Sequence, residues 1–230
     1  MDEFIGTAKY LNIINGEKKA VFQRYFDLLT EYNARFNLTA ITEESEIYEK
    51  HFLDSAAGES LFPENARVLE VGSGAGFPSL PLKILRGDLS FTLVESTGKK
   101  CAFLETAVKE LGLDGVRVVN ERAETLARNP SFRETFDAVC ARAVAKLNTL
   151  SEYCLPFVRV GGVFIAYKGN AEEEIAEAKS AFTKLGGKET GNFRYSLPTA
   201  GNRTLVRIEK ARPTPSSYPR GQGKERKNPL

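Results

Sequence analysis

Residues 66–78, Ala-Arg-Val-Leu-Glu-Val-Gly-Ser-Gly-Ala-Gly-Phe-Pro, constrain the fold more than any other part of this 230-residue chain. A short apolar run containing Glu70 leads straight into Gly72, Gly74 and Gly76, and a helical pattern starts at Pro78. Glycine lacks a Cβ, so this loop can take left-handed backbone angles and lie close to a ligand. Proline suits the first turn of a helix, where its missing N–H costs nothing. Strand, glycine loop and helix in succession form the ligand-binding start of an open α/β sheet. In such sheets ligands bind outside the carboxyl ends of the strands, where strand order reverses.

The pattern downstream agrees. Strand-like runs at 68–72, 91–95, 116–120, 136–140 and 162–166 alternate with helical stretches at 78–85, 98–111, 146–158 and 171–185. That alternation predicts a mostly parallel sheet covered on both faces. Two further runs, 192–197 and 204–209, are separated by Pro198, Gly201 and Asn202 without a helix, which predicts an antiparallel pair at the sheet edge. The first sixty residues carry no strand signal. Val21, Phe22, Tyr25, Phe26, Leu29, Tyr32 and Phe36 recur at helical spacing, and a second helix is expected over 43–61 with Thr42 as N-cap. The expected organisation is an N-terminal helical extension (1–62), an α/β domain (63–211) and a basic C-terminal tail (212–230) without regular structure.

Hydrophobic residues make up 42% of the chain, as in globular proteins. Met1 is followed by neither a basic segment nor an apolar one, and no apolar run could cross a bilayer, so a soluble, cytoplasmic protein is expected. Cys101, Cys140 and Cys154 are too scattered for a metal knuckle, and a single histidine argues against structural zinc. Net charge is only +2, yet eight Lys/Arg face two Glu between Arg203 and Leu230. A basic end suggests an acidic partner, nucleic acid first, although charge alone fits a solvated terminus better.

The glycine spacing selects the cofactor. A dinucleotide fingerprint needs glycine at its sixth position, where this chain has Phe77. That argues against a nicotinamide-linked oxidoreductase. Gly-x-Gly-x-Gly preceded by Glu70 resembles the first motif of S-adenosylmethionine-dependent methyltransferases. Glu95 stands where a carboxylate can take both ribose hydroxyls. Arg122-Ala123-Glu124, after the third strand, occupies the place where methyltransferases hold the adenine edge. The terminal antiparallel pair resembles their reversed seventh strand. The implied fold is Rossmann-like, of the class I S-adenosylmethionine-dependent methyltransferase type, with a seven-stranded mostly parallel sheet and an antiparallel last strand.

The loop after the fourth strand reports the methyl acceptor. Exocyclic amines call for Asn/Asp-Pro-Pro-aromatic, whereas residues 140–144 read Cys-Ala-Arg-Ala-Val. Cys140 follows Val139 and reads as strand core rather than as a nucleophile for pyrimidine C5 transfer. The Lys-Asp-Lys-Glu set of ribose 2′-O transfer is missing its aspartate.

Residues 70–81 (EVGSGAGFPSLP), 94–104 (VESTGKKCAFL), 122–124 (RAE), 141–145 (ARAVA) and 167–169 (YKG) resemble the glucose-inhibited division protein B family. So do 37–41 (NLTAI), 51–55 (HFLDS) and the tail ending in Lys-Asn-Pro-Leu, so the resemblance spans nearly the whole chain. It implies S-adenosyl-L-methionine as methyl donor and N7 of guanine 527, in the 530 loop of bacterial 16S rRNA, as acceptor. The RNA would be met in the small ribosomal subunit or an assembly intermediate, and a monomer suffices. It also implies cofactor contacts at Gly72, Gly74, Phe77, Ala123, Glu124 and Arg142, to which the ribose argument adds Glu95.

Guanine N7 carries an in-plane lone pair and no hydrogen, so it can attack the sulfonium methyl without a general base. No catalytic residue is expected, and the enzyme's work is positioning. The groove of A-form RNA that contains N7 is too deep for side chains, so the guanine must sit in an irregular element. Lys99, Lys100, Arg122, Lys168 and Arg203 fall at strand ends or helix starts and read as a phosphate-binding rim, Lys168 foremost. Tail residues Arg220, Lys224, Arg226 and Lys227 are expected to extend it. His51 and Asp54, three apart on a helix, read as hydrogen-bonding groups tying the extension to the sheet. The alternative function is a non-catalytic RNA-binding ribosome assembly factor that retains the fold. Such a module has no need of an intact glycine loop.

Overall fold

The computed structural model describes residues 16–230, so the first part of the helical extension, with the start at Met1, lies outside the described residues. Helix α1 (Lys19–Phe36) buries Phe22, Tyr25, Leu28 and Leu29, a stripe of helical spacing facing the core. Asn37 ends it in the left-handed conformation with its N–H on the Asn33 carbonyl. The second predicted helix is a series of short turns: α2 (Glu44–Ile47), a π-helical stretch (Tyr48–Leu53), α3 (Asp54–Ala56) and a 3-10 turn (Glu59–Leu61). Glu43, not Thr42, stands at its N-cap, without a side-chain capping bond. In the wide π turn the Asp54 N–H bonds the Glu49 carbonyl five residues back, and the Lys50 carbonyl accepts a bond from Arg142.

Beyond these turns the chain alternates as predicted. The strands are β1 (Arg67–Val71), β2 (Ser90–Glu95), β3 (Val116–Asn120), β4 (Phe136–Arg142), β5 (Val158–Lys168), β6 (Gly187–Leu197) and β7 (Gly201–Lys210). Between them lie α4 (Ser79–Leu85), α5 (Gly98–Glu110), α6 (Ala123–Leu126), α7 (Leu147–Cys154) and α8 (Glu172–Lys184), and α9 (Lys224–Lys227) follows the last strand. Sheet order is β3-β2-β1-β4-β5-β7-β6, with the direction of winding reversing between β1 and β4. β1 to β5 are parallel, and β7 runs antiparallel to both β5 and β6.

The terminal pair is therefore not simply an edge hairpin. β7 sits inside the sheet and β6 forms the edge. Burial explains the order: Leu205 and Val206 of β7 enter the cores on opposite faces, whereas β6 is largely exposed. One face of the sheet packs against α1, the short turns, α4 and α5 through Phe22, Tyr25, Phe52, Leu80 and Phe103. The other packs against α7 and α8 through Leu147, Leu150, Phe157 and Phe182.

The helical extension is bonded to the sheet as well as packed on it. Tyr195 Oη donates to Asp54 Oδ1 at 2.8 Å, and Tyr167 Oη to the Ser55 carbonyl at 3.0 Å. Buried Glu49 accepts from the Thr199 N–H at 2.6 Å and the Ala200 N–H at 3.0 Å, fixing the β6–β7 turn.

The tail differs from expectation. Instead of trailing, the segment after Arg212 folds against α7. Arg220 forms a bidentate pair with Glu152, which is fully buried, at 2.7 Å from Nη2 to Oε2. Arg133 donates to the carbonyls of Tyr218 and Thr214, both at 2.9 Å. A carboxylate buried near the end of α7 requires a cation, and the tail supplies it. No helix among the described residues is long and apolar enough to cross a membrane.

Candidate active site

The glycine loop lies at the carboxyl end of β1, beside the reversal of strand order. Gly72, Gly74 and Gly76 all have positive φ (70°, 57° and 94°). At Gly72 and Gly76 side chains are excluded by contact as well as by conformation. A Cβ on Gly72 would stand 2.6 Å from Val144 Cγ2, and one on Gly76 would stand 2.5 Å from Leu80 Cδ1. Glu95, at the end of β2, braces the loop: Oε2 accepts from the Gly74 N–H at 3.0 Å and Oε1 from the Thr97 N–H at 2.8 Å.

A cleft of about 260 Å³ opens at this crest, lined by Gly72, Ser96, Glu121, Arg122, Ala123, Glu124, Val144 and Tyr153, and by Gly223 and Arg226 of the tail. Of the seven predicted cofactor residues, Gly72, Ala123 and Glu124 form its wall. Gly74 and Glu95 shape the loop that bounds it. Phe77 and Arg142 lie elsewhere, for a reason the strand period supplies. Alternation along β4 puts Cys140 and Arg142 on the face covered by the helical extension, where Ala138 also packs.

There the Arg142 guanidinium is held on several sides. Nη1 donates to Asp54 Oδ2 at 3.0 Å and to the Lys50 carbonyl at 2.9 Å, and Nη2 meets His51 Nδ1 at 3.0 Å. Its carbon lies 5.0 Å from the centre of the Phe77 ring, which stacks on His51 at 4.3 Å and on Tyr25 at 5.4 Å. His51 and Asp54 thus tie the extension to the sheet, and they do so through Arg142. Burial, followed by the Arg142 charge, lowers the His51 pKa to about 3.

Below the loop, Glu70 is fully buried, and neither carboxylate oxygen has a hydrogen-bond partner. Burial pushes its pKa up to about 8. The hydroxyls of Ser73 and Ser79 temper this without meeting either oxygen in hydrogen-bond geometry. Cys140 pairs with Glu70 across β1–β4, and burial raises its thiol well above the ordinary range, as befits strand core.

The predicted rim divides. Arg122 is 72% exposed, with only a 3.8 Å contact to Glu124, and Lys99 is exposed over the Phe36 ring. Lys100 is half-buried. Lys168, the foremost expectation, points inward instead: Nζ bonds the Ala145 carbonyl and Glu174 Oε2, both at 2.7 Å. Arg203 is likewise engaged, with the Ala200 carbonyl at 2.7 Å and Asp54 Oδ1 at 3.6 Å. Arg220 is committed to Glu152 and does not extend the rim. The sequence reading missed Val144, Tyr153 and Gly223 as cleft residues and gave Arg226 to the RNA rim rather than to the cleft. The one available signal for the tail's docking was Glu152 in α7, whose basic partner is Arg220.

Strand order, reversed β7 and a glycine-walled cleft at the reversal together define a Rossmann-like fold of the class I methyltransferase type. Solved structures share it. M. jannaschii TYW2 in complex with AdoMet superposes with a TM-score of 0.57 at 16% identity, over 74% of this chain and 79% of that one. Cofactor-bound Rv0187 from MTB gives 0.62 at 17% identity, over 89% and 95%. At these identities the likeness is one of fold.

Sequence similarity is much closer to proteins named ribosomal RNA small subunit methyltransferase G. The Lactobacillus delbrueckii subsp. bulgaricus protein is 47% identical over 229 residues, covering 97% of this chain and 96% of its own length. The Streptococcus pneumoniae protein is 44% identical over 221 residues, covering 94% and 93%. Residues 18–197 match the GidB family, described as rRNA small subunit methyltransferase G. The chain belongs to that family.

Proposed function

We propose that this protein transfers a methyl group from S-adenosyl-L-methionine to N7 of a guanine, guanine 527, in the 530 loop of 16S ribosomal RNA. The observation that carries the reading is the cleft at the strand reversal, with left-handed glycine backbone on one side and the Glu124 carboxylate on the other. Its donor and acceptor set fits the cofactor's nucleoside. Glu124 can accept from the adenine amino group, and the bare Gly72 backbone leaves room beside it. Glu95 sets the shape of the loop and keeps further lone pairs for ribose hydroxyls. When bound, the sulfonium supplies an activated methyl group.

N7 would bond to the methyl carbon with its own lone pair as the carbon–sulfur bond breaks and neutral S-adenosylhomocysteine leaves, so the chain's residues bind, orient and exclude water rather than move a proton. Arg142, clamped by Asp54 and His51, fixes the β4 loop that borders the cleft through Val144. Lys99, Lys100 and Arg122 face outward on the crest as phosphate contacts. We read the protein as a cytoplasmic monomer acting on a small ribosomal subunit or an assembly intermediate.

The test is incubation of the full chain and S-adenosylmethionine with small subunits lacking the modification, followed by nuclease digestion and mass spectrometry. Formation of 7-methylguanosine at the loop position is expected. Tight cofactor binding without any methylated RNA would favour the assembly-factor reading, and binding of NAD in place of S-adenosylmethionine would overturn the cofactor assignment.

A further inference from the structure

We propose that the 223–227 turn of the docked tail is a wall of the cofactor cleft, and that Arg226 donates to a ring nitrogen of the cofactor's adenine opposite Glu124. The inference rests on the methyltransferase reading and adds to it a contact from outside the sheet domain. The first support is that the tail is held by groups that cannot be left alone. Glu152 and Glu225 are both fully buried, one paired with Arg220 and the other accepting the Gly221 N–H. Thr149 Oγ1 donates to the Glu225 carbonyl at 2.9 Å, and Arg128 bonds the Pro219 carbonyl, so α7 and the turn after α6 both hold the segment. Undocking the tail would break the bidentate Glu152–Arg220 pair and the Thr149–Glu225 bond together.

The second support is the place where the grip delivers the turn. Gly223, at φ 74°, lines the cleft, and no atom lies within 4 Å of where its Cβ would stand, so the turn faces open space. Arg226 is exposed, lines the same cleft as Tyr153 and Glu124, and makes no ion pair among the described residues. The Arg226 guanidinium lies against the Tyr153 hydroxyl and Glu124 against Arg122, so a carboxylate and a guanidinium line the cleft without neutralising each other.

That combination has a chemical match. An adenine edge presents an amino donor next to a ring-nitrogen acceptor, and an acceptor–donor pair on the protein is its complement. The guanidinium plane can also lie against the base. A cation is tolerable at this end of the cleft only if the sulfonium lies at the other, which is the orientation the Ala123–Glu124 assignment requires.

The test uses calorimetric titration of the full chain with S-adenosylhomocysteine and with adenosine. Arg226→Ala should weaken both by roughly tenfold or more, the loss of one hydrogen bond to a charged group, at unchanged melting temperature. Unchanged affinity, or a loss confined to binding of an RNA fragment, overturns the proposal and places Arg226 on the RNA surface. A second measurement needs no substitution. If the turn closes the cleft, ligand and docking are reciprocally linked, so S-adenosylhomocysteine should slow tryptic cleavage after Arg220 and Lys224. Equal cleavage rates with and without ligand would overturn the wall. If the unaltered chain binds neither S-adenosylhomocysteine nor S-adenosylmethionine, it is the methyltransferase reading that fails.

Discussion

Nη2 of Arg142 lies 3.0 Å from Nδ1 of His51, and because a guanidinium only donates, that ring nitrogen must be the acceptor. The proton therefore sits on Nε2 and is donated to Thr39 Oγ1 at 2.9 Å. A neutral histidine of fixed tautomer thus links the NLTAI segment to the β4 loop. Asp54 supplies the charge that Arg142 needs. Asp54→Ala should destabilise the fold by about 3–5 kcal/mol, because it strands a mostly buried guanidinium. Urea unfolding measures this, and a change below about 1 kcal/mol would mean that the Arg142 charge is satisfied elsewhere.

Two buried groups give stability opposing dependences on pH. His51 has a folded pKa near 3, below its unfolded value of 6.5, so the unfolded state takes up a proton first and stability falls as pH drops from 6.5 towards 3. Glu70 has a folded pKa near 8, above its unfolded 4.5, so its contribution is complete below 4.5 and is lost as pH rises towards 8. The two effects offset each other between 4.5 and 6.5 and act alone outside that window. Urea unfolding across the range should show a plateau with falling flanks. Glu70→Gln should remove the alkaline fall and leave the acidic one; an unaltered alkaline flank would assign it to another group.

Gly72 tests the loop. Gly72→Ala places a Cβ 2.6 Å from Val144 Cγ2 in a left-handed backbone, which costs about 1–2 kcal/mol from conformation alone. Cofactor affinity should fall with it. Adding Val144→Ala relieves the contact but not the backbone strain, so the double variant should recover only part of the loss. Full recovery would show that strain is negligible here.

Glu95→Ala should loosen the loop and weaken S-adenosylmethionine binding by about 1.5–3 kcal/mol for each charge-assisted hydrogen bond removed. Glu95→Gln retains one acceptor and should lose less. An unchanged dissociation constant in the alanine variant would remove Glu95 from the site.

The rim makes a contrasting pair. Arg122→Ala should leave the melting temperature alone and lower the slope of log affinity against log salt by about 0.7–0.9. Lys168→Ala should do the reverse, because its ammonium bonds only the Ala145 carbonyl and Glu174 within the protein. A salt slope that moves for Lys168 and not for Arg122 would restore the sequence-based ranking.

The sequence made the sheet legible because its signals are local. Alternating apolar runs, a glycine loop and Pro78 each act within a few residues, and the predicted strands lie within the observed ones apart from Gly72, which opens the loop. The position of Gly72, Ala123 and Glu124 at strand ends along the cleft followed from the same logic. Side-chain direction at the ends of the strands was less accessible. Whether Arg142 faces the crest or the extension depends on the period of β4 and on a partner 88 residues earlier in the chain. Lys168 reads as an exposed cation until Glu174, in the first turn of the next helix, is found beside it. The tail was opaque for the opposite reason: its composition is that of a solvated terminus, and only the buried Glu152 marks where it lands.

The placement of β7 has a further consequence during synthesis. Before that strand emerges, residues 163–167 of β5 (Val-Phe-Ile-Ala-Tyr) present an unsatisfied row of backbone amides and carbonyls flanked by apolar side chains. A translation product cut short ahead of Gly201 would offer that row to any neighbouring chain, and should be recovered as insoluble material. Once the polypeptide is long enough to fill the slot, the outermost ribbon becomes β6, whose Lys188, Glu189 and Arg194 discourage stacking between molecules.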